Sequence, residues 1–95
     1  MLHFSGYDLV RMGFDCKSAE ERLPTEEKVC SYLYVSDCAK DCYERNGCNY
    51  FTFGYDLRLM SNRALCFWKK TESVNCTEGW EENEYNFFEI ISMLD

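Results

Sequence analysis

The chain has 95 residues, of which 46% are hydrophobic and 17% aromatic, and its formal net charge is −7. This length fits a single domain with one modest core, and the apolar content argues against disorder. The acidic balance argues against binding to nucleic acid or to an anionic membrane surface through bulk electrostatics. No apolar run approaches the roughly 18 residues that a membrane-inserted helix requires.

The first third of the chain combines strand-like and helix-prone stretches. Residues 4–14 mix apolar and polar positions and predict a first strand. Residues 17–23 (KSAEERL) are helix-prone and stop before Pro24, so they predict a helix, a single helical turn or an ordered loop. Residues 29–35 (VCSYLYV) are β-branched and aromatic, which is typical of a strand.

A helix over residues 37–46 is the element around which the chain is organised. Ser36 is a candidate N-cap, because its hydroxyl can accept a hydrogen bond from an amide of the first turn. Gly47 favours a left-handed stop just after the helix. Cys38 and Cys42 are four residues apart, so they share one helical face.

Further strands follow the helix. Residues 49–57 alternate at strand period, with Phe51, Phe53, Tyr55 and Leu57 on one side. A turn over residues 58–63 leads to a strand over residues 64–69, and a long polar segment, residues 71–83, leads to a closing strand over residues 84–91. Apolar residues on both faces of the closing strand favour a central position in the sheet. The sequence therefore predicts one α+β domain, residues 1–95, with an antiparallel sheet of about four or five strands cradling one helix.

Seven cysteines in so short a chain indicate an oxidising compartment and a disulfide-stapled fold. Cys42 and Cys48 flank the end of the predicted helix, close enough in sequence to be bridged across the turn. Cys66, on a neighbouring strand, could reach Cys38. Three bridges use six cysteines and leave one over. The alternative is an intracellular protein that keeps its thiols reduced.

One pattern of cysteines and aromatic residues extends over residues 29–91: Cys38-x3-Cys42-x5-Cys48, the strand residues Tyr50, Phe51 and Phe53, then Cys66-Phe67-Trp68 and the closing YNFFEI. This pattern resembles the PAN/apple domain, a family of modules in blood-coagulation zymogens, plant receptor kinases and secreted adhesins. The resemblance implies Cys38–Cys66 and Cys42–Cys48 bridges and a sheet that cradles the helix.

Members of this family often add a third bridge that ties the chain ends together, and Cys16, Cys30 and Cys76 remain for it. We favour Cys16–Cys76 with Cys30 free, while Cys16–Cys30 and Cys30–Cys76 stay open. A leftover thiol would allow a disulfide-linked dimer. A buried, unreactive cysteine is the favoured interpretation, since free cysteine is among the most buried residues.

The sequence shows no arrangement typical of a metal centre or a catalytic site. Structural zinc usually needs two close Cys/His pairs, whereas Cys38 and Cys42 form one such pair and His3 is the only histidine. A Cys-His or Ser-His-Asp assembly would therefore have to use His3. The runs of acidic residues are typical of a solvated surface and not of a catalytic site. We therefore predict no enzyme activity, no metal and no cofactor.

Recognition residues are expected in the loops. Trp80 lies in an acidic segment (GWEENE), where it would stack on a sugar ring or anchor a partner, or instead fold back over the sheet. Tyr55, Asp56, Arg58 and Asn62 lie around the turn before the next strand, where polar side chains would bind a hydroxylated ligand.

These features together predict a non-catalytic extracellular adhesion module that recognises a protein partner, alone or beside neighbouring domains of a longer chain. A lectin-like, carbohydrate-binding module is the first alternative, and an intracellular thiol or metal-binding domain is the second. Asn75-Cys76-Thr77 matches an N-glycosylation sequon, so Asn75 is the candidate site of a glycoprotein. A bridged cysteine at the middle position would hinder that modification.

Overall fold

The computed structural model describes residues 2–23, 32–55 and 64–94 of the chain. These residues form strands and one helix, in the order β1 Leu2–Arg11, β2 Phe14–Cys16, β3 Glu20–Leu23, α1 Val35–Glu44, β4 Tyr50–Gly54, β5 Leu65–Lys69, β6 Trp80–Glu82 and β7 Asn86–Leu94. No helix in this part of the chain has the length and apolar character needed to cross a membrane.

The main sheet has five antiparallel strands in the order β1-β7-β4-β5-β3. β7 lies between β1 and β4, which confirms the central position predicted for the closing strand. β2 and β6 pair with each other as a separate two-stranded ribbon. The fold class is therefore α+β, as the sequence predicts.

The helix packs on one face of the sheet and contacts β1 and β4. Beneath it, the rings of Phe51 and Phe88 stack across adjacent strands with centroids 5.0 Å apart. Successive side chains of a strand point to opposite faces, so Phe53 also faces the helix whereas Thr52 points away. The predicted alternation of residues 51 and 53 thus identifies the side of β4 that the helix covers.

Both ends of the helix lie two residues earlier than the sequence predicts, since α1 runs from Val35 to Glu44. Tyr34 is the N-cap and makes no side-chain capping hydrogen bond, so the prediction of Ser36 as N-cap is wrong. Ser36 is instead an exposed residue of the first helical turn. Gly47 has a φ of 90°, a conformation that glycine adopts without strain, but the helix ends before it, at the extended C-cap Arg45 (φ −89°, ψ 126°), so the prediction of Gly47 as the left-handed stop of the helix is wrong.

The ribbon of β2 and β6 covers the opposite face of the sheet. Phe87 is fully buried there, with Tyr50 stacked on its ring at 5.7 Å and Trp80 edge-on at 5.1 Å. The buried cysteines Cys16 and Cys76 complete this cluster. The long polar segment predicted over residues 71–83 therefore contains a strand that was not predicted, β6, which closes a second apolar layer.

The helical prediction for residues 17–23 is also wrong, since Glu20–Leu23 forms strand β3 at an edge of the sheet. β3 pairs antiparallel with β5, which sets Glu20 opposite Lys69. Beside this pair, Lys70 Nζ lies 3.3 Å from a carboxylate oxygen of Glu21. The backbone ladder and these cross-strand charges outweigh the local helix propensity of the stretch.

The strand predicted over residues 29–35 is reduced to one bridge in the described part of the chain. Tyr32 and Ala64 exchange backbone hydrogen bonds of 2.8 and 2.7 Å, and Val35 already begins the helix. Similarly, the strand predicted over residues 49–57 ends at Gly54. Residues 29–31, residues 56–57 and the turn predicted over residues 58–63 lie outside the described residues.

Candidate binding surfaces

Three disulfides hold the layers of the domain together, and they are the pairings that the sequence analysis favoured. They join the helix to β5 (Cys38–Cys66), close the turn after the helix (Cys42–Cys48), and join β2 to the segment before β6 (Cys16–Cys76). Bridges at this density fit an oxidising, extracellular setting. Cys30 lies outside the described residues, so its state stays open.

Cys16, Cys76 and Glu78 are the described residues that come close enough together to resemble a three-ligand metal site. Cys16 and Cys76 are joined as a disulfide, however, and the thiolate is the form of cysteine that binds metal. At this place the geometry therefore supports a covalent staple.

A buried ion cluster fixes the ribbon to the edge of the sheet. The Lys69 ammonium is almost completely buried and lies 3.2 Å from Asp15 on β2 and 2.5 Å from Glu20 on β3. Its contact with Asp15 Oδ1 lacks hydrogen-bond geometry and is an ion pair. Burial raises the pKa of Asp15, although the Lys69 charge opposes that shift. Three of the charged groups that line the adjacent cavity of about 320 Å³, Asp15, Glu20 and Lys69, therefore already pair with one another.

Trp80 is half-buried and belongs to the layer beneath the ribbon. Its ring packs against Phe87, and the guanidinium carbon of Arg11 lies over the ring, 5.0 Å from its centroid. Of the two placements considered from the sequence, the structure shows the one in which Trp80 folds back over the sheet. The ring is engaged within the fold and does not stand free as a stacking platform.

An exposed apolar patch lies at one end of the sheet, where the chain enters the helix. It consists of Leu33, Tyr34 and Tyr55, which expose 46%, 65% and 43% of their surface. Tyr32 pairs with Ala64 just before β5, and the partner of β5 in the sheet, β4, leads directly into Tyr55, so the three side chains belong to the same end of the domain. We call these three residues the tyrosine patch.

The segment that carries this patch is anchored from both sides. The Tyr32 hydroxyl donates a 2.6 Å hydrogen bond to Asp41 on the helix. Burial, reinforced by that carboxylate, raises the pKa of Tyr32, so its hydroxyl remains a donor. Together with the backbone pairing to Ala64, this bond fixes the position from which Leu33 and Tyr34 project.

Of these three residues, the sequence predicted a binding role for Tyr55 only, and it predicted a strand over Leu33 and Tyr34. The available signal was the row of three apolar residues that immediately precedes the helix, because a strand with only one covered face buries only alternate positions. The other residues proposed around Tyr55, namely Asp56, Arg58 and Asn62, lie outside the described residues.

A cavity of about 410 Å³ lies at the C-terminal end of the helix. Its walls combine apolar and polar side chains, among them Tyr43, Glu44, Asn46, Cys48, Asn49 and Ile90. The sequence predicted no binding role for these residues. The cavity becomes visible only in the structure, where Gly47, in a left-handed conformation, and the short Cys42–Cys48 bridge hold the turn that forms its wall.

Asn75, the candidate glycosylation site, is exposed in a tight turn. Its backbone N–H donates to Ser73 Oγ at 3.1 Å. The middle residue of its sequon, Cys76, is buried in the bridge to Cys16 and has a φ of 47°. The sequon is thus held in a fixed conformation by the disulfide.

No family model matches the chain, and neither the curated proteins nor the solved structures contain a match. Function is therefore inferred from the residues and their geometry.

Proposed function

We propose that this chain is an extracellular, non-catalytic, PAN/apple-like module that binds a protein partner through the tyrosine patch. The observation that carries the proposal is the exposure of Leu33, Tyr34 and Tyr55 at one end of the fold, since every other aromatic side chain whose burial the structure describes is buried or half-buried. Tyrosine is enriched in protein interfaces, because its ring offers apolar contact and its hydroxyl a hydrogen bond.

The anchoring of the patch supports this proposal. Binding is weakened by the entropy lost when flexible side chains and loops become ordered. Here Tyr32 is bonded both to Ala64 and to Asp41 before any partner arrives, so part of that ordering is already present in the free protein.

The net charge indicates what the partner should look like. A chain with a charge of −7 attracts a basic surface and repels sulfated or phosphorylated polymers. A partner with a basic rim around an apolar centre would therefore associate faster at low salt, and raising the ionic strength would slow its association.

The experiment begins with the oxidised domain immobilised and exposed to extracellular fractions, followed by affinity measurement with each purified partner. Tyr34→Ala/Tyr55→Ala is expected to weaken binding by at least about tenfold, because hot-spot aromatics dominate interface energy. Met12→Ala is the matched control, since Met12 is 70% exposed but lies in the turn between β1 and β2. Equal effects of the two variants, or retention of glycans in place of proteins, would contradict the proposal.

The extracellular part of the proposal has its own test. Protein from its native source is alkylated, digested and mapped by mass spectrometry without reduction. We expect the Cys16–Cys76, Cys38–Cys66 and Cys42–Cys48 peptides to appear as linked pairs. Seven alkylated thiols would instead assign the protein to a reducing compartment.

A further inference from the structure

The turn after the helix contains the only asparagine–glycine pair of the sequence, Asn46-Gly47, and both residues are exposed. Within the described part of the chain, neither the Asn46 side-chain amide nor the Gly47 backbone N–H has a hydrogen-bond partner. The side-chain carbonyls of Asn83 and Asn86, in contrast, accept bonds of 2.8 and 2.7 Å from backbone N–H groups. Asn46 is therefore an unrestrained amide beside an unrestrained backbone nitrogen.

These two groups can react with each other, because the Gly47 nitrogen and the Asn46 side-chain carbon, Cγ, close a five-membered ring when they bond. Reacting groups held in one molecule have a high effective concentration. Glycine has no Cβ, so nothing attached beside the nitrogen hinders its approach. Even a Cβ built at Gly47 would meet no atom within 4 Å, so the surroundings leave room for the ring and for water.

The shape of the turn leaves the reacting nitrogen open to solvent. The Cys48 N–H donates to the Arg45 carbonyl at 3.1 Å, and Gly47 has a φ of 90°, as in a type II turn over residues 45–48. In such a turn the hydrogen bond joins the first and fourth residues, so the N–H of the third residue, here Gly47, is not used. A base in the solvent can therefore remove this proton.

We propose that Asn46 is a site of spontaneous deamidation, at which the Gly47 nitrogen attacks the side-chain amide. The Gly47 N–H gives its proton to a solvent base, and the nitrogen forms a bond to Asn46 Cγ. The Cγ–Nδ2 bond breaks, and the amide nitrogen takes up a proton and leaves as ammonia. Water then opens the cyclic succinimide at Cγ to give aspartate, or at the main-chain carbonyl carbon to give isoaspartate. No step requires an oxidant, a reductant or a cofactor.

The products change the turn in two ways. Both add a negative charge beside Glu44, at the end of the helix that already carries a partial negative charge. Isoaspartate also continues the main chain through the side chain, which adds a methylene between Arg45 and Cys48 and disrupts the hydrogen bond that joins them across the turn. The proposal is independent of the tyrosine patch, which lies at the start of the helix.

The test is incubation of the oxidised, folded protein at neutral and at mildly alkaline pH, with peptide mapping by mass spectrometry at intervals. We expect Asn46 to be the first of the six asparagines to deamidate, and to deamidate faster at alkaline pH, because a base must remove the Gly47 proton. Isoaspartate should be present beside aspartate, and an isoaspartyl methyltransferase, which does not methylate ordinary aspartate, measures it. The reduced, denatured chain gives the reference rate of an unrestrained Asn46.

Variants connect the reaction to this pair of residues. Gly47→Ala should slow the conversion of Asn46 at least about tenfold, a barrier change of about 1.4 kcal/mol, because the added Cβ hinders the attacking nitrogen. Gly13→Ala is the matched control, since Gly13 has a similar φ of 75° but is not next to an asparagine, and it should leave the rate unchanged.

A second variant keeps the test decisive if Gly47→Ala does not fold. Asn46→Gln keeps an exposed side-chain amide, but its attack by the Gly47 nitrogen would have to close a six-membered ring. The acidic species that the wild type accumulates on ion-exchange chromatography should therefore be absent from Asn46→Gln incubated for the same time.

Three results would overturn the proposal. The first is an unchanged Asn46 in the folded protein after the denatured chain has fully converted, since the turn would then prevent the attack. The second is earlier conversion of another exposed asparagine, Asn49 or Asn75. The third is a product that contains aspartate alone, because direct hydrolysis of the amide does not pass through the succinimide and gives no isoaspartate.

Discussion

The Cys16–Cys76 bridge should stabilise the domain more than the Cys42–Cys48 bridge, because it closes a much longer segment. The two bridges have sequence separations of 60 and 6 residues. In the loop-closure model the entropy removed from the unfolded chain grows with the logarithm of that separation. At 25 °C this amounts to about 4 kcal/mol for the longer bridge and about 2 kcal/mol for the shorter one.

The comparison is well matched, because all four cysteines are buried to a similar degree. Cys16 and Cys76 expose 1% and 3% of their surface, and Cys42 and Cys48 expose 0% and 4%. Replacing either pair with alanine removes the same atoms, so the cavity contributions to the two losses nearly cancel. Urea unfolding of the two double variants, both made in a Cys30→Ser background to prevent disulfide exchange, should give free energies of unfolding that differ by about 2 kcal/mol.

The Cys38–Cys66 bridge provides an internal check, since its separation of 28 residues predicts a loss of between about 3 and 4 kcal/mol. If the Cys16→Ala/Cys76→Ala variant were the only one of the three double variants to be completely unfolded, that result would agree with this order. Equal losses for the longest and shortest bridges, or the reverse order, would refute the loop-length argument. Enthalpic contributions of the native state would then have to dominate.

Three further predictions test single contacts. Asp15→Asn should remove a pH dependence of stability. Burial raises the pKa of Asp15 above its ordinary 3.8, so the folded chain holds this proton more tightly than the unfolded chain does. The free energy of unfolding of the wild type, relative to that of the variant, should therefore fall as the pH rises from below 3.8 through the raised pKa. A constant difference in urea unfolding between about pH 3.5 and about pH 7 would contradict this. Tyr32→Phe should lower the free energy of unfolding by about 1–3 kcal/mol, because the Asp41 carboxylate loses its donor, whereas Asp41→Asn keeps an acceptor and should lose less. Gly54→Ala should lower the melting temperature far more than Gly47→Ala, because its Cβ would lie 2.9 Å from backbone atoms while that of Gly47 meets nothing within 4 Å. Gly47→Ala should cost only about 1–2 kcal/mol, because of the φ of 90° at that position. Similar losses of melting temperature in the two variants would show that the backbone crowding at Gly54 relaxes easily.

The face of the sheet that the helix covers was predictable, because the alternation of side chains along β4 and the spacing of the two helix cysteines indicate the same face. Phe51 and Phe53 alternate with Thr52, and that alternation alone selects the face that must be covered. The four-residue spacing of Cys38 and Cys42 then sets both sulfurs toward the same sheet.

The ribbon side could not be derived because its elements depend on distant partners. Glu20 and Glu21 favour helix locally, and only the pairing with β5 and the contacts with Lys69 and Lys70, 49 positions further along the chain, make them a strand. β6 is three residues long and forms because β2 lies opposite it. Trp80 illustrates the consequence, since its burial is decided by Phe87 and not by its acidic neighbours.

The candidate surfaces were partly predictable for a related reason. Tyr55 follows a clear strand, so its emergence from the sheet is visible in the sequence. Leu33 and Tyr34 have strand-like composition, but the hydrogen bonds of Tyr32 turn the chain into the helix immediately after one bridge. Composition records the propensity of these residues and contains no information about that turn.

The pairing of β1 with β7 determines how this domain would respond to mechanical force. Leu2 lies opposite Leu94, so a pull on the two ends separates the strands one residue pair at a time, a geometry that yields at low load. The separation stops at the Cys16–Cys76 bridge, after the outer segments have released a tether of about 110 Å. Beyond that point the load passes through the covalent bridge. The helix, its two disulfides and the tyrosine patch all lie between Cys16 and Cys76, so the load bypasses them through that bridge. The release of β7 nevertheless removes its pairing with β4 and takes Phe87 and Phe88 out of the two cores.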